Sequence, residues 1–325
     1  MDDGQRTTMR LTQFFPALVL AILIPISTVA LGAKERAKPT ERPVKERPKE
    51  YVPGQEPTVA AESAAAIDSF TGDFLFLKNE DARQYPASST KILTALLVIE
   101  AGNLDQLVTV DESDTKVEPT ILDLKPGEQY TRRQLLFGMM LKSANDVARA
   151  LARDNAGSVE AFAEKMTRRA AELGATNSHF MNPNGLHDPN HYTTAHDLAL
   201  VARAAMQQPL FREIVSTVNY TWNSPKGTVY QLRNHNRLLR HFIGCNGVKT
   251  GYTHAAQQVL VSSALRDDHE VISVVLHTDK PGIWDDSKAL LTYGLIKVGC
   301  PVDTFTGKTE KMPEKVDEPA DGAEQ

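Results

Sequence analysis

The chain has 325 residues, 41 % of them apolar, and its 41 acidic against 36 basic side chains leave a net charge of −5. That length and content can bury one core of about 240 residues beside flanking tails. The mildly acidic balance gives no support for a nucleic-acid partner.

Arg6 and Arg10 precede an apolar stretch over residues 14–33 that ends in small residues, Ser27 to Ala33, which reads as an export signal. The stretch is about long enough to span a bilayer, and Pro16 and Pro25 interrupt it, so residues 1–33 are either a cleaved leader or a retained membrane anchor. Residues 34–57 are dense in Lys, Arg, Glu and Pro and read as an extended linker, reaching at most about 70 Å if polyproline-like. Residues 58–300 form the expected folded part. There, residues 63–68 and 73–78 flank a turn and predict a hairpin. Pro86-Ala87 opens a helix carrying Ile92, Leu93, Ala95, Leu96, Leu97 and Ile99. Residues 102–128 are polar and rich in turns. From Thr131 a helical pattern runs to Ser143, a second helix starts near Asn145, and a third covers 159–173. These make an all-helical lobe, with Ser143 and Asn145 in a loop between two of its helices. Residues 174–195 are polar around the turn Asn182-Pro183-Asn184-Gly185, and 197–206 return to helix. Residues 247–252, 258–265 and 271–278 read as three strands, 284–297 as a closing helix, and 301–325 as an acidic, disordered tail. This order predicts an α/β (α+β) fold, an antiparallel sheet flanked by terminal helices with a helical lobe inserted.

Three patterns carry chemistry: Ser88-Ser89-Thr90-Lys91, Ser143-Ala144-Asn145 and Lys249-Thr250-Gly251. Together they spell a serine acyl-transfer site. Chance supplies roughly one S-x-x-K and one S-x-N in such a chain, but only about 0.1 of a K-T-G, so context must decide. Ser113-Asp114-Thr115-Lys116 also fits S-x-x-K, yet sits among acidic residues and reads as a solvated turn. Ser88 instead leads an apolar helix, where free N–H groups and the positive dipole end favour a developing oxyanion. Lys91 lies three residues on, over the same face. The competing reading is an N-capping serine with a surface lysine.

Further markers accompany the three: Pro86-Ala87-Ser88, Asn145-Asp146, Asn182-Pro183-Asn184-Gly185-Leu186, His191-Tyr192-Thr193-Thr194-Ala195 with Asp197-Leu198-Ala199, and Gly247-Val248 ahead of Lys249. With them, residues 59–300 resemble an exported, penicillin-binding D-alanyl-D-alanine carboxypeptidase of the serine type, peptidase family S11. The resemblance implies the serine β-lactamase/transpeptidase-like fold, peptidoglycan stem peptides ending in D-Ala-D-Ala as substrate, and acylation by β-lactam antibiotics. It also implies action in the periplasm or on the cell-wall side of the cytoplasmic membrane. Larger members carry a β-rich second domain and a terminal amphipathic helix. After its closing helix this sequence has only the acidic tail, so membrane attachment is expected through the N-terminal segment. Tyr252 and His254 follow the K-T-G where the family commonly has His and a varied residue, a departure that touches substrate detail.

On this reading Ser88 is the nucleophile and Lys91 its base, with burial and the nearby Lys249 lowering the Lys91 pKa. The backbone N–H groups of Ser88 and Tyr252 form the oxyanion hole. Ser143 passes a proton to the leaving group, Asn145 holds the peptide amide, Lys249 and Thr250 bind the terminal carboxylate, and Gly251 lets substrate lie close. No metal or cofactor enters. Rivals remain. A D,D-endopeptidase shares the chemistry, and a class A-like β-lactamase needs a deacylating glutamate, for which Glu160, Glu164 and Glu172 are candidates. His187, His191 and His196 prompt a zinc peptidase, although no histidine has Glu three residues before it. A non-catalytic wall-binding module would need no nucleophile. Export permits a Cys245–Cys300 disulfide, with two free thiols the open alternative.

Overall fold

The computed structural model describes residues 52–301. The expected leader, most of the expected linker and the acidic tail lie outside the described residues. In chain order the elements are β1 (Ser63–Asp68), β2 (Phe74–Lys78), a 3-10 turn (Ala87–Thr90), α1 (Lys91–Glu100), β3 (Leu107–Thr109), α2 (Glu112–Thr115), β4 (Gln129–Thr131), α3 (Arg132–Lys142), α4 (Asn145–Ala156) and α5 (Val159–Glu172). There follow α6 (Ala195–Met206), α7 (Pro209–Ser216), β5 (Asn219–Asn223), β6 (Val229–Arg233), α8 (Leu238–His241), β7 (Cys245–Thr253), β8 (Gln257–Arg266), β9 (His269–Thr278) and α9 (Gly282–Lys297). Among the described residues no helix is long and apolar enough to cross a membrane.

The main sheet has five antiparallel strands in the order β2-β1-β9-β8-β7. Alternation along its strands sorts side chains to two cores. Ala65 and Ile67 of β1, Val259 and Val261 of β8, and Ile272, Val274 and Leu276 of β9 face the helical lobe. Their neighbours Ala64, Ala66, Leu260, Val271 and Val275 pack under Leu290, Leu291 and Leu295 of α9. Both faces are therefore covered, and β2 and β7 are the two edge strands, β7 the one beside the 3-10 turn. Fully buried Ile92, Leu93 and Leu96 place α1 in the middle of the larger core, against Leu135, Met139 and Leu151 of the lobe. At about 25 cal/mol per Å² such side chains contribute roughly 1.5–3 kcal/mol each. That burial anchors the turn ahead of α1.

The antiparallel sheet and flanking helices expected from sequence are present. Two details differ. Ser113-Asp114-Thr115-Lys116 is not a solvated turn: it forms α2, with a reciprocal capping box between Asp111 and Asp114. Asp114 is buried, 2.8 Å from Arg153 of α4. Its acidic neighbours serve the helix N-terminus, which periodicity over four residues cannot reveal. Residues 209–233, unassigned from sequence, make α7 and the β5–β6 hairpin, pinned by buried Trp222 stacking on Tyr130 at 4.7 Å between ring centroids. Of the two alternatives left open for the cysteines, the structure has free thiols at Cys245 and Cys300.

Candidate active site

The first motif straddles a change in helix type. Ser88 sits in the 3-10 turn, so it precedes α1 rather than lying inside its first turn, and α1 begins at Lys91 itself. Ala87 just before it has φ of +47°, a sparsely populated conformation for a residue with a Cβ. What holds it is packing from below. Gly185 of the Asn182–Leu186 turn comes so close that a Cβ there would lie 1.7 Å from the Ala87 carbonyl oxygen. Asn182 Oδ1 accepts the N–H groups of Asn184, Gly185 and Leu186, which fixes that turn. The buried His191 ring stands beside it, Nε2 2.9 Å from Thr90 Oγ1 and Nδ1 accepting from the Met181 N–H.

Lys91 is fully buried. Its Nζ lies 3.0 Å from Ser88 Oγ, 2.8 Å from Asn145 Oδ1 and 2.7 Å from the Asn184 carbonyl oxygen. Desolvation holds its pKa well below the ordinary lysine value, the Lys249 charge adds to the depression, and the Asp146 charge opposes it.

Ser143 ends α3 in the left-handed region, φ +64°, and Asn145 opens α4, so the second motif is a tight link between two packed helices. The Ser143 hydroxyl has no hydrogen-bond partner among the described residues, whereas Asn145 is committed at both ends. Its Oδ1 serves Lys91 and its Nδ2 donates to the Glu118 carbonyl oxygen at 2.8 Å. Asp146 beside it is buried and accepts from the N–H groups of Leu122, Leu124 and Val147, tying the 118–124 loop to α4. Burial pushes the Asp146 carboxyl above its usual value against those bonds.

The third motif runs along the edge strand. Lys249 is 2 % exposed and its Nζ donates to the Thr250 carbonyl oxygen at 2.9 Å. Burial lowers its pKa to about 7. Gly251 lets β7 meet the Ser88 turn: a Cβ would stand 2.8 Å from the Ser88 nitrogen and 3.1 Å from Ala87 Cβ. Tyr252 is half exposed, its hydroxyl 3.4 Å from His254 Nδ1. The structure thus brings Ser88, Lys91, Asn145 and Gly251 to one place, and the depression of Lys91 by Lys249 puts that ammonium within electrostatic reach.

Several participants were not assigned a role from sequence. Asn184 supplies a lysine ligand through its backbone and binds the Asn145 carbonyl oxygen through Nδ2 at 2.7 Å. The turn signal was visible; a role carried by a main-chain oxygen leaves no side-chain signature. His235 is held down to about 4, by burial first and then by Lys249 and Lys142. Asn234 and Asn236 flank it and bind the carbonyls of Val215, Thr217 and Gly247.

The rival constellations disperse. Glu160, Glu164 and Glu172 are all exposed on α5, with Glu164 facing Arg168 and Glu172 facing Arg169. His187 stands edge-on to Tyr85, His196 stacks on Phe74, and His191 lies under Thr90, so the three histidines serve three different neighbours.

Comparison with known proteins places the chain in a family. The sequence model of the D-alanyl-D-alanine carboxypeptidase family matches residues 51–280. The D-alanyl-D-alanine carboxypeptidase DacF of Bacillus subtilis is 35 % identical over 226 residues, covering 68 % of this chain and 58 % of the relative. DacB2 of Mycobacterium tuberculosis, of the same name, is 34 % identical over 244 residues, 73 % of this chain and 83 % of the relative. The crystal structure of a Streptomyces DD-transpeptidase superposes with a TM-score of 0.70 at 34 % identity, covering 74 % of this chain and 99 % of that one. With a serine, two depressed lysines and an open strand edge in one cleft, and with these relatives, the chain belongs to the D-alanyl-D-alanine carboxypeptidase family, peptidase S11.

Proposed function

We propose that the protein is a serine D-alanyl-D-alanine carboxypeptidase acting outside the cytoplasm on peptidoglycan stem peptides, with residues 1–33 as leader or membrane anchor. The observation that carries the reading is the valence around Lys91 Nζ. A neutral amine offers two hydrogens and one lone pair. Asn145 Oδ1 and the Asn184 carbonyl oxygen can only accept, so they take the two hydrogens, and the lone pair is left for the Ser88 hydroxyl.

Ser88 Oγ attacks the carbonyl between the two D-alanines as its proton passes to Lys91. The oxyanion forms between the N–H groups of Ser88 and Tyr252, which Gly251 allows to approach. Protonated Lys249 and Thr250 hold the terminal carboxylate. As the C–N bond breaks, the uncommitted Ser143 hydroxyl gives its proton to the departing D-alanine nitrogen and is reprotonated by Lys91, which returns there the proton it took from Ser88. Water then cleaves the Ser88 ester. Asn145 orients Lys91 through Oδ1, and the second hydrogen of its Nδ2 is left for the substrate's peptide group. A β-lactam presents a strained amide and a carboxylate at similar spacing, so it acylates Ser88 by the same steps.

Mass spectrometry of the protein after penicillin treatment is expected to find one adduct, on Ser88, and none in Ser88→Ala. D-Alanine release from a pentapeptide is expected to fall about 10⁴-fold in that variant. An adduct elsewhere, or undiminished release, overturns the assignment. Digestion of cross-linked muropeptides separates a carboxypeptidase from an endopeptidase, because only the latter converts dimers to monomers.

A further inference from the structure

A second groove, of about 280 Å³, opens beside the tip of the β7–β8 hairpin and is lined by Arg83, Tyr85, Asn190, Tyr192, Ala255 and His277. Two of its lining residues are near the site in the chain. Tyr85 lies three residues before Ser88, and Ala255 follows β7 four residues after Gly251. The isolated bridge between Gln84 and Thr193 sets Tyr85 and Tyr192 side by side in the chain crossing.

The lining is polar at its tips and unsatisfied. Arg83 is exposed, its guanidinium carbon 4.3 Å from the Tyr192 ring centroid, and it has no carboxylate partner among the described residues. The Tyr85 and Tyr192 hydroxyls and the Asn190 amide likewise carry no hydrogen bond to described residues. Two carboxylates border the lining and both are engaged: Asp188 accepts from the Asn190 N–H at 2.7 Å, and Glu62 sits 3.6 Å from His277 Nε2. An oriented guanidinium over an aromatic face, with donors on either side, suits a carboxylate.

Direction fixes which part of a substrate arrives there. A peptide pairing antiparallel with the open edge of β7, its terminal carboxylate at Lys249 and Thr250, runs upstream past Tyr252 toward Ala255. At about 3.3 Å per residue, two to four residues upstream of the scissile bond reach the groove. We propose that this groove is a subsite for a free carboxylate two to four residues upstream of the cleaved bond, with Arg83 as the residue that selects it. The inference rests on the carboxypeptidase reading and adds the preference for an acidic peptide.

The test compares three substrates on the full chain: a pentapeptide with an acidic residue in that window, the same peptide with the carboxylate amidated, and a diacylated tripeptide ending in D-Ala-D-Ala. The readout is the ratio of kcat/KM values. For the wild type the acidic peptide is expected to exceed the amide about tenfold. In Arg83→Ala that ratio is expected to fall below about twofold, and in Arg83→Glu to invert. If wild type cleaves all three equally well, or prefers length regardless of the carboxylate, the subsite falls while the carboxypeptidase reading stands. A ratio that survives in Arg83→Ala overturns the role of Arg83, and with it the proposal. If D-alanine is released from none of them, both readings fall together.

Discussion

The proposed chemistry makes opposite demands of two coupled amines, neutrality at Lys91 and charge at Lys249. Lys91 must lose its proton to accept one from Ser88, so kcat/KM rises with pH through the Lys91 pKa, which burial and Lys249 have already brought down. Lys249 must keep its proton to hold a carboxylate, so kcat/KM falls again as pH climbs through its value of about 7. A bell-shaped profile measured on a pentapeptide is the expected outcome. In Lys249→Arg the guanidinium stays charged, and the alkaline limb is expected to move above about pH 9. Asn145→Ala removes one of two acceptors that orient the Lys91 amine, and is expected to lower the rates of D-alanine release and of penicillin acylation in parallel by about 10²-fold. The charged and hydroxyl groups of the site could be read from sequence because their types are rare in combination. Their supporting ligands could not: Asn184 acts through a backbone oxygen, and Glu118 holds Asn145 the same way.

Between elements, two glycines set how near the nucleophile turn its neighbours stand. A methyl at Gly251 meets the Ser88 nitrogen at 2.8 Å, and β7 must retreat. Gly251→Ala is expected to cost about 1–3 kcal/mol in denaturant unfolding and more than about 10²-fold in kcat/KM, since the oxyanion donors separate. Gly185→Ala is the harsher change, combining φ of +85° with overlap on the Ala87 carbonyl, and is expected to lose more than about 3 kcal/mol. Long periodic segments were legible here. α3 and α5 match their expected spans closely, and β8 and β9 lie where strands were read. The β5–β6 hairpin was not, because its strands are five residues long, and only Trp222 and Leu232 are buried. α2 was hidden for the same reason of brevity.

At the scale of the molecule, the sequence order gave the sheet's members but not their sequence across the layer. β1 pairs with β9 over more than 200 positions of chain, a long-range choice that local pattern does not encode. Where the chain joins this sheet, Asp286 of α9 accepts from the N–H groups of Ala60 and Ala61 at 3.0 and 2.8 Å, and Lys78 Nζ donates to the Val59 carbonyl oxygen. Asp286→Ala is expected to cost about 2–4 kcal/mol in thermal or denaturant unfolding, with kcat of the folded fraction within twofold of wild type at 25 °C. A large loss of kcat would show that the α9 side communicates with the cleft.

The seat of β1 has a mechanical consequence. Because it lies between β2 and β9 and not at a border of the sheet, tension applied to the stretch before Ser63 is resisted in shear by two ladders of hydrogen bonds at once, with no single row to unzip. A catalytic body tugged from that side while working on a stiff polymer would keep its cleft assembled until the middle of the sheet gave way.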